Sequence, residues 1–132
     1  MKRLICSLTF LISLNSWSQA NPKVDFTTAY ASIRFDLSEH LIIGEVTYQF
    51  KVNEATDSIK IDARNMMIQG IKLNGQTPKY SYDKKKIAFT QGFNHRDNSV
   101  TIQYTANPKQ SLYYVGSGTD LQIWTQGQGK DT

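Results

Sequence analysis

The sequence predicts an all-β fold, an antiparallel multi-stranded β-sandwich. Apolar and polar residues alternate along most of the chain, turn-forming residues separate the alternating segments, and no segment carries a helical apolar stripe of useful length. The 132 residues are 39% hydrophobic and 20% charged, which is a globular composition and not that of a disordered chain. This length fits one domain, and the single Cys excludes a disulfide within the chain.

The clearest alternation lies in two neighbouring segments, 31–37 and 42–52, which are separated by a polar turn. We expect them to pair as antiparallel strands, each with one buried apolar face and one wet face. The aromatic side chains fall mostly on the apolar phase, so we expect them to pack in the core. Gly44, inside the second segment, indicates a β-bulge or a close backbone contact.

Shorter strands follow, and each is bounded by a turn signal. Asn74-Gly75 closes one strand, and three lysines at 84–86 after Asp83 predict a solvated hairpin turn, with contact to an anionic surface as the alternative. A Gly-Ser-Gly segment at 116–118 predicts a further hairpin turn. The predicted strands are 59–61, 66–73, 80–82, 87–89, 100–104, 112–115 and 121–124, with a polar loop at 91–98.

The first twenty residues have the layout of a secretory signal peptide. A basic head at 1–3 precedes a mostly apolar run at 4–14, and a polar stretch ends in Ser18-Gln19-Ala20. The run is too short to span a bilayer, so we expect no stable membrane span after cleavage. The sequence therefore predicts a signal peptide at 1–20, a β-sandwich domain at 21–132, and a secreted or periplasmic protein.

The charge balance and the histidines exclude several functions. Two of the 15 basic residues precede residue 21, so the rest of the chain has a net charge of +2. This charge is too small to indicate a nucleic-acid-binding domain. His40 and His95 stand in predicted turns without a second ligand at metal-binding spacing. We therefore expect no catalytic residue and no metal ligand in this chain.

The C-terminal segment carries the one candidate binding feature. Gln126 and Gln128 stand two residues apart between glycines, so their side chains would point the same way from an extended backbone. Each amide offers two donors and one acceptor, so the pair could hold a peptide main chain. The alternative is that these residues form a polar tail.

This segment resembles the end of the N-terminal domain of aminopeptidase N-type zinc metallopeptidases, a group that includes leukotriene A4 hydrolase. The resemblance extends over nearly the whole predicted mature chain, because further motifs of that domain follow one another in order. They are the strand at 30–37, Ile-x-Gly-x-Val at 42–46, the strand with an acidic residue at 59–63, the Tyr-ending strand at 100–104, Leu112-Tyr113 before the Gly-rich turn, and Trp-Thr-Gln-Gly-Gln-Gly at 124–129.

The resemblance implies a saddle-like β-sandwich that covers the cleft of a zinc-dependent catalytic domain. By that likeness, Gln126 and Gln128 are substrate-binding residues that hold a peptide near its N-terminal amine. The family's Gly-x-Met-Glu-Asn loop and His-Glu-x-x-His zinc motif are absent from this chain. We therefore expect zinc only in a missing catalytic domain of the same polypeptide, and a C-terminally truncated chain that is inactive alone.

A second interpretation is a standalone secreted β-sandwich that binds peptide, glycan or protein, since fold alone does not decide function. Such a module should place several exposed aromatic residues on one wet face, chosen from Tyr80, Tyr82, Tyr113, Tyr114 and Trp124. A severed domain should instead expose a broad apolar patch for its partner. A third interpretation, supported only by the Gln pair, is a decoy that occupies a relative's cleft.

Overall fold

The computed structural model describes residues 23–110 and 112–126, and it confirms the all-β antiparallel fold. The predicted signal segment 1–20 and Gln128 lie outside these residues. Within them, no helix is both long and apolar enough to cross a membrane. The strands are β1 (Val24–Asp36), β2 (Leu41–Val52), β3 (Ile59–Asp62), β4 (Met66–Leu73), β5 (Ser81–Tyr82), β6 (Lys86–Phe89), β7 (Arg96–Ala106), β8 (Leu112–Val115) and β9 (Gln122–Thr125), with a 3-10 helix at Gly118–Asp120.

The largest sheet has four antiparallel strands in the order β1-β2-β7-β4. The predicted pairing of β1 with β2 is confirmed, with Ala31 opposite Val46 and Phe35 opposite Ile42. β1 begins at Val24, seven residues before the alternation predicts, and its register shifts between Phe26 and Thr28.

A three-stranded sheet, β3-β6-β5, packs with this sheet around one apolar core. The most deeply buried side chains come from β2, β3, β6 and β7, as the alternating pattern of each strand requires. The fully buried set comprises Phe50, Ile59, Ile87, Phe89 and Val100.

The expected burial of the apolar face of β1 is wrong. Ile33, Phe35 and Leu37 are 52%, 39% and 50% exposed, although they occupy the predicted apolar phase. β1 is the edge strand of the larger sheet, and it contributes no residue to the buried set of the core. The second sheet therefore covers the neighbouring strands and leaves this part of β1 open.

Two local expectations also need correction. The register of β2 is continuous at Gly44, so there is no bulge there; the close approach comes instead from the side chain of Tyr104 on β7. The polar loop predicted at 91–98 is shorter, because β7 already begins at Arg96. Asn98 is buried at 4% exposure, since four hydrogen bonds to neighbouring residues satisfy its amide.

The basic hairpin turn is confirmed. Asp83 Oδ1 accepts hydrogen bonds from the backbone amides of Lys85 and Lys86, at 2.8 and 2.6 Å. These bonds, in which the Lys86 amide has the larger effect, lower the pKa of the Asp83 carboxyl. Lys84 adopts a left-handed backbone conformation with φ of 68°, and its charge lies over the ring of Tyr82.

Candidate functional site

The candidate site is the hairpin of β8 and β9, after which Gln126 follows directly. The two strands pair with Leu112 opposite Thr125 and Tyr114 opposite Ile123. The predicted turn at 116–118 joins them, and Gly116 has φ of 89°, where a side chain would be strained. The 3-10 helix completes this connection between the strands.

One face of the hairpin contacts the turn between β1 and β2. The ring of Tyr114 stacks on the imidazole of His40, with centroids 4.5 Å apart and planes 12° apart. The Tyr114 hydroxyl donates a 3.3 Å hydrogen bond to the carbonyl of Leu41. Burial of the phenol, followed by the nearby charge of Asp36, raises the pKa of Tyr114. Leu112 lies on the same face and is buried.

The opposite face of the hairpin is apolar and open. Tyr113 and Trp124 are direct cross-strand partners, 45% and 58% exposed, and Val115 beside them is 53% exposed. The indole Nε1 of Trp124 donates to Oε1 of Gln122 at 3.1 Å, so its polar edge is satisfied while its ring remains uncovered. This surface, Tyr113, Val115 and Trp124, is called the hairpin face below.

Gln126 is exposed at the end of β9. Within the part of the chain that the structure describes, its amide forms no hydrogen bond, so its donors and acceptor are available to a ligand. Gln128 lies outside the described residues. The arrangement of the two amides toward each other therefore stays a prediction.

The two histidines lie far apart in the sequence and in separate loops. His40, with φ of 54°, occupies the turn after β1 and supports the hairpin through its ring. His95 lies in the loop before β7, beside a small cavity. Among residues 23–110 and 112–126, no group of three or more His, Cys, Asp or Glu side chains is placed to hold a metal ion.

The sequence predicted the hairpin face only in part. It assigned the aromatic residues mainly to the core and named Tyr113 and Trp124 as exposed only for a standalone binding module; it did not predict that they form one open surface with Val115. The signal was available in the pattern, because Tyr113 and Val115 share the phase opposite to the buried Leu112.

Comparison with solved structures identifies the fold as one found in M1 zinc metallopeptidases and leukotriene A4 hydrolases. A yeast leukotriene A4 hydrolase in complex with bestatin superposes with a TM-score of 0.63 at 14% identity, over 72% of this chain and 16% of that one. An M1 zinc metallopeptidase variant from Deinococcus radiodurans, bound to a Tyr-Ser-Ala substrate, gives 0.58 at 18% identity, over 67% and 22%. A two-domain M1 zinc metallopeptidase variant bound to L-tryptophan gives 0.59 at 15% identity, over 74% and 26%.

The resemblance seen in the sequence is therefore confirmed for the fold. The chain spans about a fifth of the length of these proteins, so the likeness concerns one part of a larger molecule. No protein-family profile and no curated protein matches the sequence.

Proposed function

We propose that this chain is the N-terminal β-domain of an exported zinc aminopeptidase, in which it covers the substrate cleft. The observation that carries the proposal is the fold likeness to M1 zinc metallopeptidases, over most of this chain and a small share of theirs. One of those proteins holds a Tyr-Ser-Ala peptide. The order of the sequence motifs, which ends in Gln126 and Gln128, supports the same assignment.

The hairpin face is the surface that we assign to the catalytic domain. Three apolar side chains, Tyr113, Val115 and Trp124, are left open next to Gln126. Burial of such a cluster against a second domain removes apolar area from water and fixes the position of the hairpin end. The position of Gln126 relative to the cleft would then depend on this contact.

In this proposal Gln126 and Gln128 bind the N-terminal end of a peptide substrate. The carbonyl oxygen of an amide accepts from an ammonium or a peptide N–H, and its NH₂ group donates to a peptide carbonyl. Neither amide adds a charge, so the pair orients the peptide while charge recognition falls to other residues.

Zinc would be supplied by the rest of the enzyme. The described residues hold no cluster that fits a metal, so the part of this chain in the reaction is to bind and orient substrate. The residues that activate water belong, in this proposal, to the catalytic domain.

The first experiment reads the coding sequence beyond codon 132 and expresses the whole open reading frame. A Gly-x-Met-Glu-Asn segment and a His-Glu-x-x-His segment within a few hundred codons are expected. A stop without either motif would overturn the proposal.

The second experiment measures aminopeptidase kinetics of that whole protein on alanyl-p-nitroanilide and short peptides. Gln126→Ala should raise KM about tenfold, the loss of roughly one hydrogen bond to a charged or polar ligand. Gln91→Ala is the control, because it removes an exposed amide of the same kind from the loop before β7, away from the hairpin. Equal kinetics for both variants and the unsubstituted enzyme would remove Gln126 from the substrate site.

One observation favours a second candidate, a standalone binding module. Tyr113 and Trp124 form an exposed pair on one face, as such a module requires. Tyr80 is also exposed, but it precedes β5 of the three-stranded sheet and is not part of the hairpin. The Tyr82 hydroxyl bonds to Ala63 and Met66, and Tyr114 packs on His40. If the reading frame ends at codon 132 and peptides quench Trp124 fluorescence, the module is the better assignment.

A further inference from the structure

The edge strand β1 has features that the proposed function does not use. It is 13 residues long, and its one strand neighbour in the described part of the chain is β2. Residues 26–35 are exposed throughout. A long open edge offers a row of backbone donors and acceptors to another strand, and proteins usually protect such an edge.

The apolar side of β1 is exposed near both ends of the strand. Phe26 is 42% exposed, and Ile33 and Phe35 are 52% and 39% exposed. The register places Phe26 opposite Phe50, and Phe35 opposite Ile42, so all of them lie on the core-facing side of the sheet. A strand added beside β1 would cover this apolar row.

The charged residues of β1 lie on the other side of the sheet. They are Lys23, just before the strand, and Asp25, Arg34 and Asp36 within it. The two ends of the strand have the same order, a basic residue and then an acidic one: Lys-x-Asp at the start and Arg-x-Asp at the end, so an antiparallel copy would place basic residues opposite acidic ones. Within the described residues, neither Asp25 nor Arg34 forms an ion pair.

We propose that β1 pairs antiparallel with β1 of a second copy of this chain, with the two-fold axis at Tyr30. In this register Arg34 faces Asp25 of the second copy, and Asp36 faces Lys23. On the apolar side, Ile33 faces Phe26 and Phe35 faces Val24. Tyr30, 67% exposed, faces its own counterpart. The two four-stranded sheets join into one sheet of eight strands.

The bulge in β1 makes this register self-complementary. An unbroken strand centred on Tyr30 would place Arg34 opposite Phe26 and Phe35 opposite Asp25, which pairs charged with apolar residues. The extra residue between Phe26 and Thr28 shifts the first part of the strand by one position. Ser32 then faces Thr27 and Thr28 together, and beyond that point charges meet opposite charges and apolar residues meet apolar residues.

The partner is a second copy because complementarity is present within the strand itself. Opposite charges directly across an antiparallel pair stabilise it, and like charges destabilise it. The inference does not rest on the proposed function, since it concerns the edge of the sheet and not the hairpin face.

The first test measures molecular mass by sedimentation equilibrium, with the chain purified as the cell processes it. Concentrations from about 1 to about 200 μM cover the weak end of specific interfaces. A monomer–dimer equilibrium is expected. Arg34→Asp should weaken it at least about tenfold, because an aspartate then meets Asp25 at both ends of the interface. Lys60→Asp, an equal charge reversal on the exposed side of β3, should leave it unchanged.

A mixture of two charge-reversal variants tests the proposed pairing of residues 25 and 34 more strictly. Asp25→Arg should weaken the dimer as Arg34→Asp does, yet an equimolar mixture of the two variants should form heterodimers with an Asp–Arg pair at each end, in the native polarity at one end and in the reversed polarity at the other. A chain that stays monomeric over the whole range, or a mixture no tighter than its components, would overturn the proposal.

A cross-linking test reports on the axis itself. In a Cys6→Ser background, Tyr30→Cys should form a disulfide-linked dimer under mild oxidation, because directly opposed residues in an antiparallel pair have Cα atoms about 4.5–5.5 Å apart. Ser32→Cys lies on the same side of the strand but faces Thr27 and Thr28, and should cross-link far less. Equal cross-linking of both positions would contradict the register.

Discussion

The phenol ring of Tyr104 lies against Gly44, its direct cross-strand partner between β7 and β2. A Cβ atom built on Gly44 would stand 2.7 Å from Tyr104 Cε1, closer than real Cβ contacts allow. Because glycine has no Cβ atom, the ring can lie against the sheet at Gly44. Burial of the ring there raises the pKa of Tyr104. Tyr104 in turn packs against the edge of the core.

Replacement of Gly44 by alanine should destabilise the fold by about 1–3 kcal/mol, the usual cost of overpacking. Urea unfolding of the two chains measures this difference. Gly70→Ala in β4 is the control, because the nearest atom to its added Cβ is the end of the flexible Gln103 side chain, at 3.1 Å. If both substitutions cost the same, the ring contact is not the cause.

Replacement of Asn98 should lower the unfolding free energy more than most single substitutions do, because its buried amide takes part in several hydrogen bonds. Its Oδ1 accepts from the Asn74 side chain and the Asn94 backbone, and its Nδ2 donates to the carbonyls of Asn94 and Arg96, all within 2.7–3.0 Å. Asn98→Leu leaves these groups without their partner, and we expect a loss of about 2–4 kcal/mol in unfolding free energy.

Asn94→Ala is the control for that measurement, because Asn94 takes part in this network through its backbone. It should change the unfolding free energy by less than about 0.5 kcal/mol, as surface substitutions usually do. A similar loss for both variants would show that the loop, and not the Asn98 amide, sets the stability.

The hydrogen bonds of Asp83 should make the stability of the fold depend on pH, and the direction of that dependence follows from the pKa shift. Hydrogen bonds from the Lys86 and Lys85 amides lower the pKa of Asp83 in the folded state. The stabilisation is therefore present above the unfolded-state pKa and is lost as the pH falls through the folded-state pKa. Asp83→Ala should lower the urea midpoint at pH 7, and this difference should shrink toward pH 3.

Asp83→Asn separates the charge from the geometry, since an amide oxygen can still accept from both backbone groups. Its midpoint at pH 7 should fall between those of the unsubstituted chain and the alanine variant. A difference between the unsubstituted chain and Asp83→Ala that does not vary with pH would show that ionisation of Asp83 has no part in the stability of the turn.

The strand pattern was predictable from the sequence because side-chain alternation is a direct consequence of the pleat. The first half of β1 was not, since the bulge after Phe26 puts Phe26 and Ala29 on the same side although they are three residues apart. Alternation also reports which side of a strand is apolar, but not whether a second sheet covers it. This is why the exposure of Ile33 and Phe35 could not be foreseen.

The candidate site was predictable only in part. The hairpin of β8 and β9 followed from two short apolar segments around a Gly-rich turn. The role of Gln126 came from the resemblance to a family, because an exposed amide by itself does not specify a ligand. His40 and Tyr114 are 74 positions apart, and only the folded arrangement of the strands brings them together. No local sequence pattern encodes this contact.

That contact leads to the last prediction, which concerns how the hairpin is held. Tyr114 links it to the rest of the fold through the His40 stack and the bond to the Leu41 carbonyl. Tyr114→Ala should raise amide hydrogen exchange in β8 and β9 and leave β2 and β7 unchanged, because only the hairpin loses its contact. Tyr113→Ala removes a ring of the same size from the opposite face and should leave exchange in both strands nearly unchanged. If the two variants exchange alike, His40 and Leu41 do not hold the hairpin, and the position of Gln126 at its end must be set by the hairpin face instead.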